Sequence, residues 1–232
     1  MAIRQKQLRK KELREDPLMT MISEAQLWLA VNGKKLAIGV LAAAVVIVAV
    51  VLLQNMREAA DLESREAFAD AQLEIAQTNP EDVIPPLLRV ADDYQGTSGG
   101  SEALYTAAEM ALNEQNSELA IELFSRFLKE YKGEYLLEAG ASGGLATALE
   151  NSGKFEEAAD LYMKLADDKD ARDYRYFALL NAGKAYAHAE QYDKARAAFN
   201  IVVNEQEQSN TRARAQEELA RLDVIADGIG LP

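Results

Sequence analysis

Residue types that could carry chemistry are sparse in this 232-residue chain, and their spacing disfavours most reactions. There is one histidine, His188, and no cysteine. A structural or catalytic zinc site draws on several imidazoles or thiolates, and a nucleophilic triad needs a base beside its nucleophile. One histidine supplies neither set, and it reads as a surface or groove residue. Asp167-Asp168-Lys169-Asp170 brings three carboxylates together, but the lysine and the lack of an EF-hand pattern make it a polar loop. Gly96–Gly100 (GTSGG) is glycine-rich like a phosphate cradle, yet no Lys-Ser/Thr follows, so it reads as a linker. Gly140, Gly143 and Gly144 in AGASGGLA read as points where two helices approach closely. No carboxylate pair or Ser/His arrangement emerges. The expectation is a protein that is not an enzyme and takes no metal, cofactor or small-molecule substrate.

Composition narrows the partners further. The formal net charge is −13, which repels phosphate backbones and argues against nucleic acid. Without cysteine, disulfides, thiolate metal sites and a lipid anchor on cysteine are excluded.

The elements that would position any site begin with Leu36–Leu53, LAIGVLAAAVVIVAVVLL, which has no charge, amide or hydroxyl. As a helix it spans about 27 Å, close to the roughly 30 Å hydrocarbon core of a bilayer. Twelve of its eighteen residues are Leu, Ile or Val, each favouring insertion by about 0.3–0.6 kcal/mol near the helix centre. One membrane span is expected, with the chain divided into residues 1–33, 34–54 and 55–232. Eight basic residues face four acidic ones before the span, whereas residues 36–232 hold seventeen basic and thirty-four acidic. Basic residues near a span stay in the cytoplasm, so the N-terminus is expected inside and the larger part outside, with Lys34 and Lys35 the strongest part of that signal. A cleaved signal peptide is the competitor. The thirty-five-residue leader, the long apolar core and the poor cleavage site at Ala59-Ala60 favour an uncleaved signal-anchor.

Residues 1–15 read as a charged cytoplasmic tail. Asp16-Pro17 is a helix-start signal. Leu18, Met21, Ile22, Ala25, Trp28 and Leu29 follow at helical spacing, predicting an amphipathic helix in the cytoplasmic interface with Trp28 at headgroup depth. Docking on a membrane protein partner is the alternative. Asn32-Gly33 would then bend the chain into the span. Within it, Gly39 and Ala43 form a small-xxx-small pair that would let two spans approach. Beyond it, alanine, leucine and glutamate dominate and β-branched runs are missing, which predicts nearly all helix, with residues 54–63 continuing the membrane helix.

That region repeats. Val83, Ala120, Ala158 and Ala195 lead four segments and lie 37, 38 and 37 residues apart. Behind each lead the same offsets carry Leu87 and Val90, Phe124 and Phe127, Tyr162 and Leu165, and Phe199 and Val202. Twelve residues ahead of each lead is a small residue, Ala71, Ala108, Ala146 or Gly183. This pattern resembles tetratricopeptide-repeat proteins over residues 64–207, with a unit a few residues longer than the usual length of about 34. The first unit departs most, carrying Val83 for alanine and Pro85-Pro86 early in its second helix. The expected architecture is all-α: an N-terminal transmembrane helix, then a tetratricopeptide-like α-solenoid of about four helix pairs, then a C-terminal capping helix over Thr211–Ala226.

In such folds the first helix of each pair lines a concave face. Counting from the register puts Tyr105, Glu109, Leu112, Thr147, Asn151, Phe177, Leu180, Asn181, Lys184 and His188 there, as candidates for a groove that binds segments of another protein. The whole layout resembles the YfgM-type family of ancillary SecYEG translocon subunits. That resemblance implies a bacterial inner-membrane protein whose periplasmic domain associates with the translocon, with periplasmic chaperones and with exported substrates. The alternative is a scaffold subunit of a cell-envelope or cell-division assembly.

Overall fold

The computed structural model describes residues 17–77, 83–205 and 209–226, with side chains from residue 21 onward. The described residues are helical, with no strand among them: α1 (Pro17–Gln77), α2 (Ile84–Asp93), α3 (Ser98–Asn113), α4 (Ser117–Glu130), α5 (Tyr135–Asn151), α6 (Phe155–Asp167), α7 (Arg175–His188), α8 (Tyr192–Glu205) and α9 (Asn210–Ala226). One 3-10 turn, Arg172–Tyr174, precedes α7. The chain divides into two units, Met1–Arg57 and Glu58–Pro232.

In the first unit α1 begins at Pro17, where proline's missing N–H costs nothing. The tail, residues 1–15, and Asp16 lie outside the described residues. Leu36–Leu53 is helical and exposed along its whole length, and α1 is the candidate membrane span. A helix that satisfies its own backbone and is apolar all round suits lipid. Trp28, Lys34 and Lys35 are exposed. The bend expected at Asn32-Gly33 is absent. The Asn32 amide donates to the Trp28 carbonyl at 3.1 Å, so it is satisfied inside the helix. A single helical glycine costs only about 1 kcal/mol, too little to break so long a helix.

The second unit is four helix pairs and a cap. At the C-terminal end of α1, Ala71 shares a core cluster with Leu87 and Val90 of α2 and Glu74 binds Arg89, while α3 pairs with α4, α5 with α6 and α7 with α8, and α9 covers α8 and α7. The repeat register appears directly in burial. Ala71, Ala108, Ala146, Ala120, Ala158 and Ala195 are all buried, and Phe124, Phe127, Tyr162, Phe199, Leu87 and Val202 are among the most enclosed side chains. Val83 stands just before α2, not inside it. Pro85 and Pro86 fall in the first turn, where no intrahelical donor is lost, so the prolines start the helix and do not break it.

The turns inside the second, third and fourth pairs share one geometry. Gln115, Gly153 and Glu190 occupy the left-handed region (φ 60°, 80° and 59°). Next to them, Asn116, Lys154 and Gln191 donate to Ala111, Leu149 and Tyr186 carbonyls at 2.9, 2.9 and 2.8 Å. This is the Schellman closure, which satisfies carbonyls that the helix end leaves open.

Gly96–Gly100 is not a linker. Ser98–Gly100 form the first turn of α3, and Thr97 caps it by accepting from the Gly100 N–H at 3.3 Å. Side chains at Gly99 and Gly100 would collide with the backbone of Ser64 and Tyr94, so this glycine pair allows α3 to seat against α1 and α2. Only Gly96 keeps a turn conformation (φ 82°).

Candidate interaction groove

On α3, Tyr105 and Leu112 stand one turn to either side of Ala108 and so share its face, while Glu109, the next residue, lies about 100° further round the helix. Tyr105 leans across onto α5, so that its hydroxyl sits 2.6 Å from where a side chain at Gly140 would begin. Its ring packs edge-on against Phe124 and Phe127, with centroids 6.0 and 5.7 Å apart. Burial holds its phenol well above the ordinary value, and the Glu109 carboxylate that accepts its hydrogen bond pushes it further. Glu109 itself is exposed, and Leu112 is half-buried against the core.

On α5, Thr147 donates to the Gly143 carbonyl at 2.9 Å and lies 2.9 Å from the Tyr162 hydroxyl of α6. The Tyr162 ring in turn meets Phe177 of α7 edge-on at 6.4 Å. Phe177 is 52% exposed, so half of its surface stays open to solvent beside that contact. Asn151 is exposed at the end of α5. Asn181 and Lys184 are half-buried on α7, and exposed His188 stacks on Phe155 at 5.1 Å. Lys184 and His188 also border a cleft shared with Glu218 and Arg221 of α9.

Leu180 departs from the expectation. It is 4% exposed and belongs to the core cluster that includes Ala215 and Leu222 of α9. Counting along one helix fixes a direction, but not which later helix will cover it. Gly143 departs as well. Gly140 and Gly144 are closely packed, whereas a side chain at Gly143 would find its nearest neighbour at 3.9 Å.

Two acidic residues were missed. Glu150 stands 38 residues after Leu112, and Glu102 stands 38 before Gly140, so the repeat register could have found both. Burial pushes the Glu150 carboxyl above the ordinary carboxylate value, and the positive charges of His188 and Lys184 oppose that only in part. Among the described residues, no cluster of three or more histidine, aspartate or glutamate side chains is placed to hold a metal ion.

Stacked helix pairs with this register and this face define a tetratricopeptide-type solenoid, a fold used for binding other proteins. The family model described as tetratricopeptide repeat matches residues 102–133 and 177–209, which are the second and fourth units. Among solved structures, the chain is similar to MamA 41-end from Desulfovibrio magneticus RS-1, at 18% identity and a TM-score of 0.55, covering 71% of this chain and 86% of that one. It is also similar to a putative kinesin light chain with nearly identical TPR-like repeats from Podosopora anserina, at 17% identity and a TM-score of 0.53, with 71% and 86% covered. At these identities the likeness is one of fold. No curated protein matches the chain.

Proposed function

We propose that the chain is a non-enzymatic, membrane-tethered adaptor that binds polypeptide segments on the face formed by α3, α5 and α7. The observation that carries this reading is Phe177, half-exposed on α7 and edge-on to Tyr162, whose hydroxyl meets Thr147 of α5. The apolar stretch at Leu36–Leu53 and the basic residues ahead of it support a single span with the N-terminus in the cytoplasm and the repeat unit in the periplasm of a bacterial inner membrane. In that setting the resemblance to ancillary SecYEG subunits gives the adaptor its place, beside the translocon and among periplasmic chaperones and exported chains. Tethering supplies what a shallow groove lacks, because confinement near the exit site raises effective concentration without any new contact.

In-cell photocrosslinking from Tyr105, Phe177 and Lys184, with partners identified by mass spectrometry, tests it. Translocon subunits together with many exported proteins are the expected result. One recurrent envelope protein would replace the adaptor with a scaffold. Crosslinks only from residues 18–32 would mean that the working surface lies elsewhere.

A further inference from the structure

We propose that the end of the repeat unit where α3 and α5 begin rests on the lipid surface of the bilayer, with Tyr135 and Leu136 seated among the headgroups. The inference rests on the reading of Leu36–Leu53 as a membrane span and adds a second, peripheral contact to it.

Two hydrogen-bonded joins gather this end. Asp61 of α1 accepts from the Ser98 N–H at 2.8 Å, so α3 starts beside Asp61. The Ser101 hydroxyl of α3 donates to the Glu134 carboxylate at 3.2 Å, which brings the start of α5 to the same end. In the sequence, Asp61 follows Leu53, the last residue of the apolar stretch, by eight positions. Even fully extended, eight residues reach only about 28 Å. The tether therefore keeps this end of the unit close to the lipid, whereas α3 carries its other end about 24 Å further along its own axis.

What this end exposes suits a headgroup layer. Tyr131 is buried and stacks on Phe127 at 5.4 Å, and Leu137 packs against the core. Between them Tyr135 and Leu136 are 58% and 57% exposed and stand outside that core. With Leu137 turned inward, the helix directs Leu136 and Tyr135 about 100° and 200° away from it. Leu62, next to Asp61, is exposed as well. A tyrosine beside a leucine offers the interface an apolar body with one wet hydroxyl.

Charge does not drive this contact. Asp61 is engaged by Ser98 and Arg65, Glu63 by the Tyr94 hydroxyl, Glu134 by Ser101 and Glu138 by the Gly133 N–H. Lys132 is exposed beside Tyr135, but so are Asp93 and Glu102, so anionic lipid gains nothing over zwitterionic lipid. The attraction is apolar and insensitive to salt. It is weak by itself, and the tether compensates by holding the surface at high effective concentration.

The chain has no cysteine, so single labelling sites can be introduced into the full chain in phosphatidylcholine nanodiscs. An NBD dye on Lys132→Cys, Glu114→Cys or Gln54→Cys is read for quenching by lipids that carry a nitroxide on the headgroup. Emission should fall about twofold at Lys132→Cys and stay unchanged at Glu114→Cys, just past the far end of α3. Adding Tyr135→Ser and Leu136→Ser should abolish the quenching while circular dichroism keeps its helical signal, and raising salt should not. Quenching that survives both serines, or that is equal at Glu114→Cys, would assign proximity to the tether alone and overturn the inference. Quenching at Gln54→Cys with none at Lys132→Cys would also overturn it while leaving the span standing. An unquenched Lys132→Cys together with an in-cell photocrosslink from Tyr135 to a membrane protein would give the surface to that partner instead of lipid. Absence of quenching at Gln54→Cys would remove the span and the contact together.

Discussion

The Phe124 ring occupies the space that a side chain at Gly144 would need, with its Cε2 atom 2.7 Å from where that side chain would begin. One unit further on, Phe199 does the same at Gly183, its Cδ1 atom also at 2.7 Å. In both cases an aromatic ring from a second helix enters a notch in a first helix. The notch at Gly183 belongs to the repeat signature. The one at Gly144 does not, because there the ring comes from the preceding unit, α4 onto α5. Glycine thus serves two different joints: closure within a pair and stacking between pairs.

Alanine at either notch forces a ring embedded in the core to move. Gly144→Ala and Gly183→Ala should each cost about 1–3 kcal/mol, the usual range for overpacking. Gly143→Ala is the control. A side chain there would meet Leu165 Cδ2 at an ordinary contact distance of 3.9 Å, and the position is mid-helix, where alanine is preferred by about 1 kcal/mol. Thermal unfolding followed by circular dichroism should therefore lower the Tm for the first two and leave it unchanged or raised for the third.

The left-handed turns give an opposite expectation for glycine. Gln115 and Glu190 adopt a conformation that costs an ordinary residue about 1 kcal/mol, and Gly153 adopts it without that cost. Gln115→Gly and Glu190→Gly should raise the unfolding free energy by up to about 1 kcal/mol, less the entropy glycine adds to the unfolded chain. Gly153→Ala should lower it by a similar amount. Denaturant midpoints of the three variants would show this, and equal effects at all three sites would contradict a shared turn.

The turns also mark where the sequence stops being legible. The spacing of Ala120, Ala158 and Ala195 and of the rings behind them pointed to four pairs and a cap, because burial of a stripe imposes periodicity on composition. A left-handed residue leaves no such trace when it is glutamine or glutamate. Local composition misled at Ser98–Gly100, where glycines read as a linker are there because α3 lies against the backbone of Ser64 and Tyr94; the Ser64 contact comes from more than thirty positions away. The site shows the same split. Phe177 could be placed because it falls on a first helix away from the small residue that marks the closed joint, so the register alone turns it toward the open face. Leu180 could not, because its cover comes from α9.

Asp61 offers a pH-dependent test of how α3 starts. Its carboxylate accepts from the Ser98 hydroxyl at 2.6 Å and from the Ser98 N–H at 2.8 Å, and these bonds hold its pKa below the usual 3.8. A lowered folded value means that ionised Asp61 stabilises the fold above the usual carboxylate range. That contribution is lost as pH falls through the lowered value. Asp61→Ala should cost about 1 kcal/mol at neutral pH, as loss of a helix cap does. The deficit against the parent protein should shrink below the ordinary carboxylate value. A deficit unchanged at acid pH would mean that the side chain acts by packing and not by charge.

Glu150 should behave in the reverse sense. Burial raises its folded value above the usual 4.5, and Lys184 and His188 do not fully offset this. Below 4.5 the group is protonated in both states and carries no penalty. As pH rises through the raised folded value the carboxylate must ionise in a partly desolvated place, and stability is lost. Glu150→Gln keeps the shape and removes the ionisation, so it should raise the Tm at pH 7 and give no gain at pH 4. The same substitution removes the partner of Lys184, which works against stability. A net gain at neutral pH would therefore establish that the desolvation cost exceeds the ion pair. A fold that gives up stability to keep a carboxylate on its binding face holds a charge that the folded core does not need. If Tm instead falls with Glu150→Gln at pH 7, the residue belongs to the scaffold through Lys184.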